Sequence, residues 1–106
     1  MRSEIIEHHK SDEQGRPTGG TTQGRGFHID WQDGPLAVAG VRREPNGAFV
    51  EDVIAAAIGS IAFYQNSEFA CQENADALAA LHEAAKRLDD RTKNRQARGV
   101  EGTHTA

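Results

Sequence analysis

The chain is short of most of what builds a conventional core. Among 106 residues there are one cysteine, one tryptophan, one tyrosine and three prolines; aromatics make up 6 % and apolar residues 37 %. One cysteine excludes an internal disulfide framework and a cysteine-rich zinc site, and it fits a reducing compartment. No apolar run approaches the roughly 20 residues that span a bilayer, and the amino terminus lacks the apolar centre of a signal peptide. An excess of positive charge is missing too. With 12 basic and 16 acidic residues the formal charge is −4, so no phosphate-seeking field covers the whole surface. These absences leave a small, soluble, intracellular protein of one domain at most.

What is present is unevenly spread. Residues 1–26 hold only Met1, Ile5 and Ile6 as apolar side chains, together with five of the 11 glycines. Such a segment buries too little surface to offset its ordering entropy, so a disordered leader is expected there. The His8-His9 doublet inside it has no further ligands at zinc spacing, and no metal is expected. From Phe27 the pattern changes. Phe27-His28-Ile29-Asp30-Trp31 alternates apolar and polar as a half-buried strand does, Asp33-Gly34-Pro35 makes a turn, and Leu36 to Val41 alternates weakly. A β-hairpin or two short strands over 27–45 follow. They must pack on something, because two strands alone are marginal in water.

Two helices are expected next. Asn46 is a candidate N-cap, Glu51 and Asp52 suit a first turn, and Phe49, Val50, Val53, Ile54, Ala57, Ile58, Ile61 and Phe63-Tyr64 recur at helical spacing, giving helix one over 47–66. Gly59, costly in a helix by about 1 kcal/mol against alanine, hints at a close backbone approach. Asn66-Ser67 breaks the pattern, and helix two runs over 69–97 with the stripe Cys71, Ala75, Leu78, Leu81, Ala85, Leu88. Gly99 is its stop, and residues 98–106 form a tail. A short connection makes the pair an antiparallel hairpin. The fold class is α+β, and a hairpin this rich in alanine is expected to oligomerise through helix two.

The seam of helix two carries the chemistry. At about 100° per residue, Arg95 falls within roughly 20° of Leu88, Arg91 roughly 60° to one side, and Asn74 roughly 40° from the same line. Polar residues thus flank the leucine stripe at both ends. Arg91 and Arg95 either complement the helix C-terminus and snorkel outward, or form an anion site, since guanidinium forks match phosphate oxygens. Arg87, Arg91 and Arg95 form a like-charged column that asks for neutralisation. Asn74 and Arg95 lie roughly 30 Å apart on one straight helix, so only a second copy, packed antiparallel, brings them together. Tyr64 or Phe63, ending helix one, would lie near Asn74. An aromatic, an amide and two arginines are the groups that stack a purine, read its edge and hold phosphates. Phe63 reads first as core packing, whereas Tyr64, with its polar tip, suits core and ligand alike.

Catalytic patterns are thin. Ser60, Ser67 and Cys71 have no base within local reach, His82-Glu83 lacks the second histidine of a zincin, and Gly24-Arg25-Gly26 lacks the third glycine of a dinucleotide fingerprint. Neither His28 nor His104 starts a His-x-Thr element. No catalytic residue, cofactor or metal is assigned, and binding is the expectation.

Gly34-Pro35, Asn46-Gly47 with Glu51-Asp52, Phe69-Ala70-Cys71-Gln72-Glu73-Asn74-Ala75, Asp90-Arg91-Thr92-Lys93-Asn94-Arg95 and Arg98-Gly99-Val100-Glu101-Gly102-Thr103 together resemble the phage Thoeris anti-defence protein 1 family. The helical hairpin is similar to that of the phage anti-CBASS protein 2 family. The resemblance covers residues 27–105 and implies a sponge in the cytoplasm of the infected bacterial host. Such a protein sequesters glyco-cyclic ADP-ribose, the Thoeris signal, without cleaving it. In some members separate sites hold cyclic di- or trinucleotides of CBASS, and assembly into hexamers is implied. By the same resemblance Asn74, Arg91 and Arg95 contact ligand, as does Tyr64 or Phe63. An additional strand-region arginine falls to Arg42 or Arg43. The alanine-rich stretch Leu78 to Leu88 departs from the family pattern, and no tryptophan precedes Arg91-Thr92. A rival reading uses the basic end of helix two, where six basic side chains face two acidic ones over residues 86–98, to bind nucleic acid or a regulatory protein. Two more rivals are an enzyme that cleaves the messenger and a purely structural oligomer.

Overall fold

The computed structural model describes residues 4–106. Its elements are β1 (Ile6–Ser11), β2 (Pro17–Gly24), β3 (Phe27–Trp31), β4 (Ala37–Val38), β5 (Val41–Arg42), α1 (Val50–Gln65) and α2 (Gln72–Ala97). The fold is α+β, as expected. The chain divides into two compact units. One comprises the described residues through Phe49 together with Gly99–Ala106, and the other is Val50–Arg98.

The expectation of a disordered leader fails over Ile6–Gly24; its first three residues lie outside the described ones. β1, β2 and β3 form an antiparallel sheet in that order, with His8 opposite Thr21 and Thr21 opposite Asp30. Few apolar side chains are needed because the ladder and its turn supply the order. Asp12 closes the β1–β2 turn by accepting from the Gln14 and Arg16 backbone N–H groups, both at 2.9 Å, and from Arg16 Nε at 2.8 Å. Those bonds to the charged form hold the Asp12 carboxyl below the usual carboxylate range, led by the one from the Arg16 backbone. In β2, Gly20 adopts φ +128°, and a Cβ there would collide with the His8 carbonyl oxygen, so only glycine lets the two strands approach this closely. Trp31 braces the sheet by donating its indole N–H to Thr22 Oγ1 at 2.8 Å, and Thr22 is buried at 8 % exposure.

The 27–45 hairpin is also paired differently from the expectation. β3 takes β2 as its partner, and β4 pairs only with β5, Ala37 opposite Arg42 and Val38 opposite Val41. The weak alternation of Leu36 to Val41 conceals a tight turn in which Ala39 and Gly40 both have positive φ, +52° and +78°. The tail docks on this small ribbon. Ala37 N–H donates to Gly102 O at 2.7 Å, and the Arg42 guanidinium forks onto Glu101 at 2.5 and 3.0 Å. Asn46 caps no helix. Its side chain accepts from Asp33 N–H at 2.8 Å and donates to Asp33 O at 3.1 Å, which lays the following residues along β3. There Gln32 N–H donates to Ala48 O and Ala48 N–H to Asp30 O. Gly47 is required at this crossing, since a Cβ would sit 2.6 Å from the Trp31 carbonyl group.

In the other unit α1 and α2 pack as an antiparallel hairpin. Glu51 at the start of α1 meets Arg91 near the end of α2, Nη2 to Oε1 at 3.6 Å. Val53, Ile54, Ala57, Ile58 and Ile61 of α1 and Leu78, Leu81, Ala85 and Leu88 of α2 are half-buried, and neither helix has a fully buried residue. Both helices start three residues later than the sequence suggested. For α2 the reason is visible: Gln65 clamps the loop, donating Nε2–H to Cys71 O at 3.1 Å and accepting from Cys71 N–H at 2.9 Å. Cys71 is thereby held extended as the N-cap residue. Gly59 has open space where its Cβ would be, contrary to the expected close approach. The end of α2 is as expected, with Arg98 as the C-cap and Gly99 at φ +73°.

Candidate functional site

The helical wheel places Asn74 and Arg95 on the packed face of α2, and both are half-buried there alongside Leu78, Leu81 and Leu88. A polar side chain on an apolar seam loses hydration and has to be matched by hydrogen-bonding partners. The loop that delivers Asn74 is well ordered by its own bonds. Besides the Gln65 clamp, Ser67 Oγ–H donates to Tyr64 O at 2.5 Å and accepts from Phe69 N–H at 3.1 Å. Tyr64 and Phe63 end α1 on its outward side. Their rings meet edge to face at 6.1 Å and 88°, and Phe63 is 75 % exposed. Phe63 is therefore not core within this chain; with Tyr64 and Phe69 it leaves three aromatic side chains exposed around the closed end of the hairpin.

Arg91 and Arg95 lie at the open end. Their distance from Asn74 along α2, 17 and 21 residues, corresponds to roughly 25 and 30 Å. The single chain therefore groups Tyr64, Phe63 and Asn74 at one end and Arg91 and Arg95 at the other. Arg91 is the better exposed of the two arginines and already faces Glu51. Two members of the like-charged column meet carboxylates, Arg87 at Glu83 (2.9 Å) and Arg91 at Glu51, and the neighbouring lysines do the same, Lys93 with Asp89 at 2.9 Å and Lys86 with Asp90 at 3.2 Å. Contact with the Asp89 carboxylate pushes the Lys93 ammonium pKa above its ordinary value. The two strand-region arginines differ in their engagement. Arg42 is committed to Glu101, whereas Arg43 makes a single guanidinium bond, Nη2–H to Pro35 O at 3.1 Å. Both belong to the sheet-bearing unit.

Two features are absent from the expectations drawn from sequence. Glu51 is more than a first-turn acid, and its pairing with Arg91 follows from the antiparallel register rather than from local sequence. The second is an open cavity of about 370 Å³ on the sheet, lined by His8, Lys10, Thr21, Asp30, Asp33 and Asn46. The Asp12-Glu13-Gln14-Gly15 turn, set between Ile5-Ile6 and Thr21-Thr22, is the signal for the hairpin that builds it. Among the described residues no group of three or more His, Cys, Asp or Glu side chains is placed to hold a metal, and no helix is long and apolar enough to cross a membrane.

With this geometry in place, comparison with known proteins is informative. Over 76 residues, 72 % of the chain, the sequence is 46 % identical to a protein of Bacillus phage SBSphiJ7 named Thoeris anti-defense 1. The chain spans about half of that relative, 51 % of its length. A family model described as the Acb2/Tad1 hairpin domain matches residues 24–93, which include β3, all of α1 and most of α2. By that match the chain belongs to the Acb2/Tad1 hairpin-domain family.

Proposed function

We propose that this chain is a phage anti-defence protein that acts as a sponge: it binds a cyclic ADP-ribose isomer of the Thoeris system in the cytoplasm of the infected host and holds it uncleaved. The observation that carries the reading is that Asn74 and Arg95 are half-buried at opposite ends of a seam whose other half-buried side chains, Thr92 apart, are apolar. Family membership and the name of the phage relative give the same direction. Because the two ends are too far apart to meet in one chain, the site is completed by a second copy, with Tyr64 stacking on the purine, Asn74 reading a polar edge, and Arg91 and Arg95 holding the pyrophosphate. Phe63 borders that platform. The exposed aromatic end and the absence of any fully buried residue in either helix support assembly, and a hexamer is the form proposed. Cyclic di- or trinucleotides are proposed as additional ligands at separate sites. The nucleic-acid reading loses ground because Lys86, Arg87, Arg91 and Lys93 each face a carboxylate, which leaves little net field at that end.

The test is calorimetric titration of the protein with glyco-cyclic ADP-ribose, followed by heat denaturation and chromatography of what is released. Tight binding with the ligand recovered intact supports a sponge; an altered product makes the protein an enzyme. Arg91→Ala with Arg95→Ala should weaken binding by about 100-fold or more, from about 1.5–3 kcal/mol for each charged hydrogen-bonding group. Unchanged affinity in an intact assembly removes the arginines from the site. Steeply salt-dependent binding of DNA in place of the nucleotide would favour the nucleic-acid reading.

A further inference from the structure

We propose that residues 99–106 and the β4–β5 ribbon form a strap that opens and closes as one unit, and that closure masks the guanidinium fork of Arg42 from anions. The ribbon cannot hold itself shut. Its strands are two residues long, it is separate from the three-stranded sheet, and Val38 and Val41, opposed across it, are both exposed. A pairing this short, with no buried apolar face, is marginal in water. Its turn works against it as well. Ala39 has φ +52°, a left-handed conformation in which its Cβ crowds the backbone, ahead of Gly40 at +78°. A non-glycine residue keeps such a conformation only where its surroundings impose it.

The tail supplies that support. Within residues 35–43, Arg43 N–H donates to Leu36 O at 2.6 Å and the Arg43 guanidinium to Pro35 O. Among the described residues, the hydrogen bonds and ion pairs that tie this segment to any other go to the tail. They are Ala37 N–H to Gly102 O, and Arg42 Nη1 and Nη2 to the two carboxylate oxygens of Glu101. Gly102 fits closely: at φ +79°, a Cβ there would lie 3.2 Å from Arg42 Nη1 and 3.4 Å from Leu36 Cβ. The tail is shaped for this contact. Thr103 donates its N–H and its Oγ1–H to Val100 O, at 3.1 and 2.6 Å, and accepts from Thr105 N–H at 3.1 Å, closing a turn around Glu101 and Gly102. Undocking the tail removes the ribbon's outside support, and opening the ribbon removes the groups on which the tail is seated. The two halves therefore form one cooperative unit that opens apart from the rest of the molecule. In the closed form both terminal nitrogens of Arg42 are spent on a carboxylate; in the open form the same fork is presented to any carboxylate or phosphate. The strap lies in the sheet-bearing unit and involves none of the helical residues assigned to the nucleotide, so the two readings stand or fall separately.

The test is amide hydrogen exchange of the full chain, perturbing one half of the strap and reading the other. Glu101→Ala, made in the tail, should speed exchange of the Arg43 amide, whose bond lies wholly inside the ribbon, by about tenfold. Ala39→Gly, made in the ribbon, relieves the left-handed alanine. It should slow exchange of the Thr103 amide, whose bond to Val100 O lies wholly inside the tail, by about threefold. Amides of β1–β3 and of both helices should not change in either protein. No change at Arg43 in the first variant, no change at Thr103 in the second, or a change spread over the three-stranded sheet overturns the strap. Because Ala39→Gly alters no charge, it also isolates the masking. Inorganic phosphate should reach half its effect on the Arg42 guanidinium resonance at about threefold higher concentration in Ala39→Gly than in the unmodified chain, and at about tenfold lower concentration in Glu101→Ala. A response equal in the three proteins, or absent from all of them, overturns the masking.

Discussion

Glu51 sits where it competes with any anion for Arg91. The ion pair spans 3.6 Å, with the arginine side chain 59 % and the glutamate 39 % exposed. At this exposure the pair is worth about 0.2–1 kcal/mol, far less than the Coulomb energy of two bare charges at that distance. If Arg91 has to release Glu51 to grip a pyrophosphate, Glu51→Gln removes that cost and tightens binding by about 1.4- to 5-fold. A carboxylate also repels an anion directly, so the single variant alone does not isolate the effect. The same change in an Arg91→Ala background does. Calorimetric titration of the four proteins gives the coupling between residues 51 and 91, expected at about 0.2–1 kcal/mol and shrinking with added salt. Glu51 additionally favours the α1 N-terminus, so Glu51→Gln should cost about 0.3–1 kcal/mol of hairpin stability, readable as a lower urea midpoint. Tighter ligand binding in a less stable protein is the signature. Equal tightening with and without Arg91, or no tightening at all, refutes the competition.

Three further perturbations test other parts of the structure. Gln65→Ala removes both bonds to the Cys71 backbone and should destabilise the helical unit by about 1–2 kcal/mol in urea unfolding, while Gln65→Glu, which keeps an acceptor but no donor, should recover part of the loss. Gly47→Ala brings a methyl against the Trp31 and Asp30 carbonyls and should cost about 1–3 kcal/mol, with loss of the near-ultraviolet signal of the single tryptophan ahead of helix melting. Asp12 titrates below the ordinary carboxylate value because the turn bonds its charged form. Its contribution is present in full above the unfolded pKa and is lost as pH falls through the folded one. Amide exchange of Gln14 and Arg16 should accelerate in acid with wild-type Asp12 and be fast and insensitive to this titration in Asp12→Asn.

The helical half of the molecule was legible because helix formation is local. The spacing of Val53, Ile54, Ala57, Ile58 and Ile61, and of Leu78, Leu81 and Leu88, fixes which sides pack, and from those sides the half-buried positions of Asn74 and Arg95 follow. Boundaries were less legible, because the Gln65 clamp that delays α2 joins residues on either side of a loop. The sheet was read poorly for a physical reason. Apolar content is a measure of burial, and β1 and β2 are stabilised by a backbone ladder, a capped turn and glycines that permit close approach. Asn46 illustrates the same limit, since a residue with the chemistry of an N-cap serves Asp33 of the preceding loop. Nor could local pattern show that Arg42, one of two adjacent arginines, is tied to Glu101 at 59 positions' distance.

The division of the chain has a consequence for how it folds. The sheet-bearing unit is discontinuous: its two segments are separated by Val50–Arg98. For the tail to dock on β4, a loop of 49 residues has to close, and the entropic cost of closure rises with loop length. Here the intervening residues are an antiparallel hairpin whose two ends are brought together by its own pairing, as the Glu51–Arg91 contact records. Once that hairpin forms, through contacts that are short-range along α1, its turn and α2, the effective loop collapses to a few residues at its base. Forming the hairpin first therefore lowers the closure cost of the Arg42–Glu101 contact, and helices before latch is the order with the smaller entropic penalty.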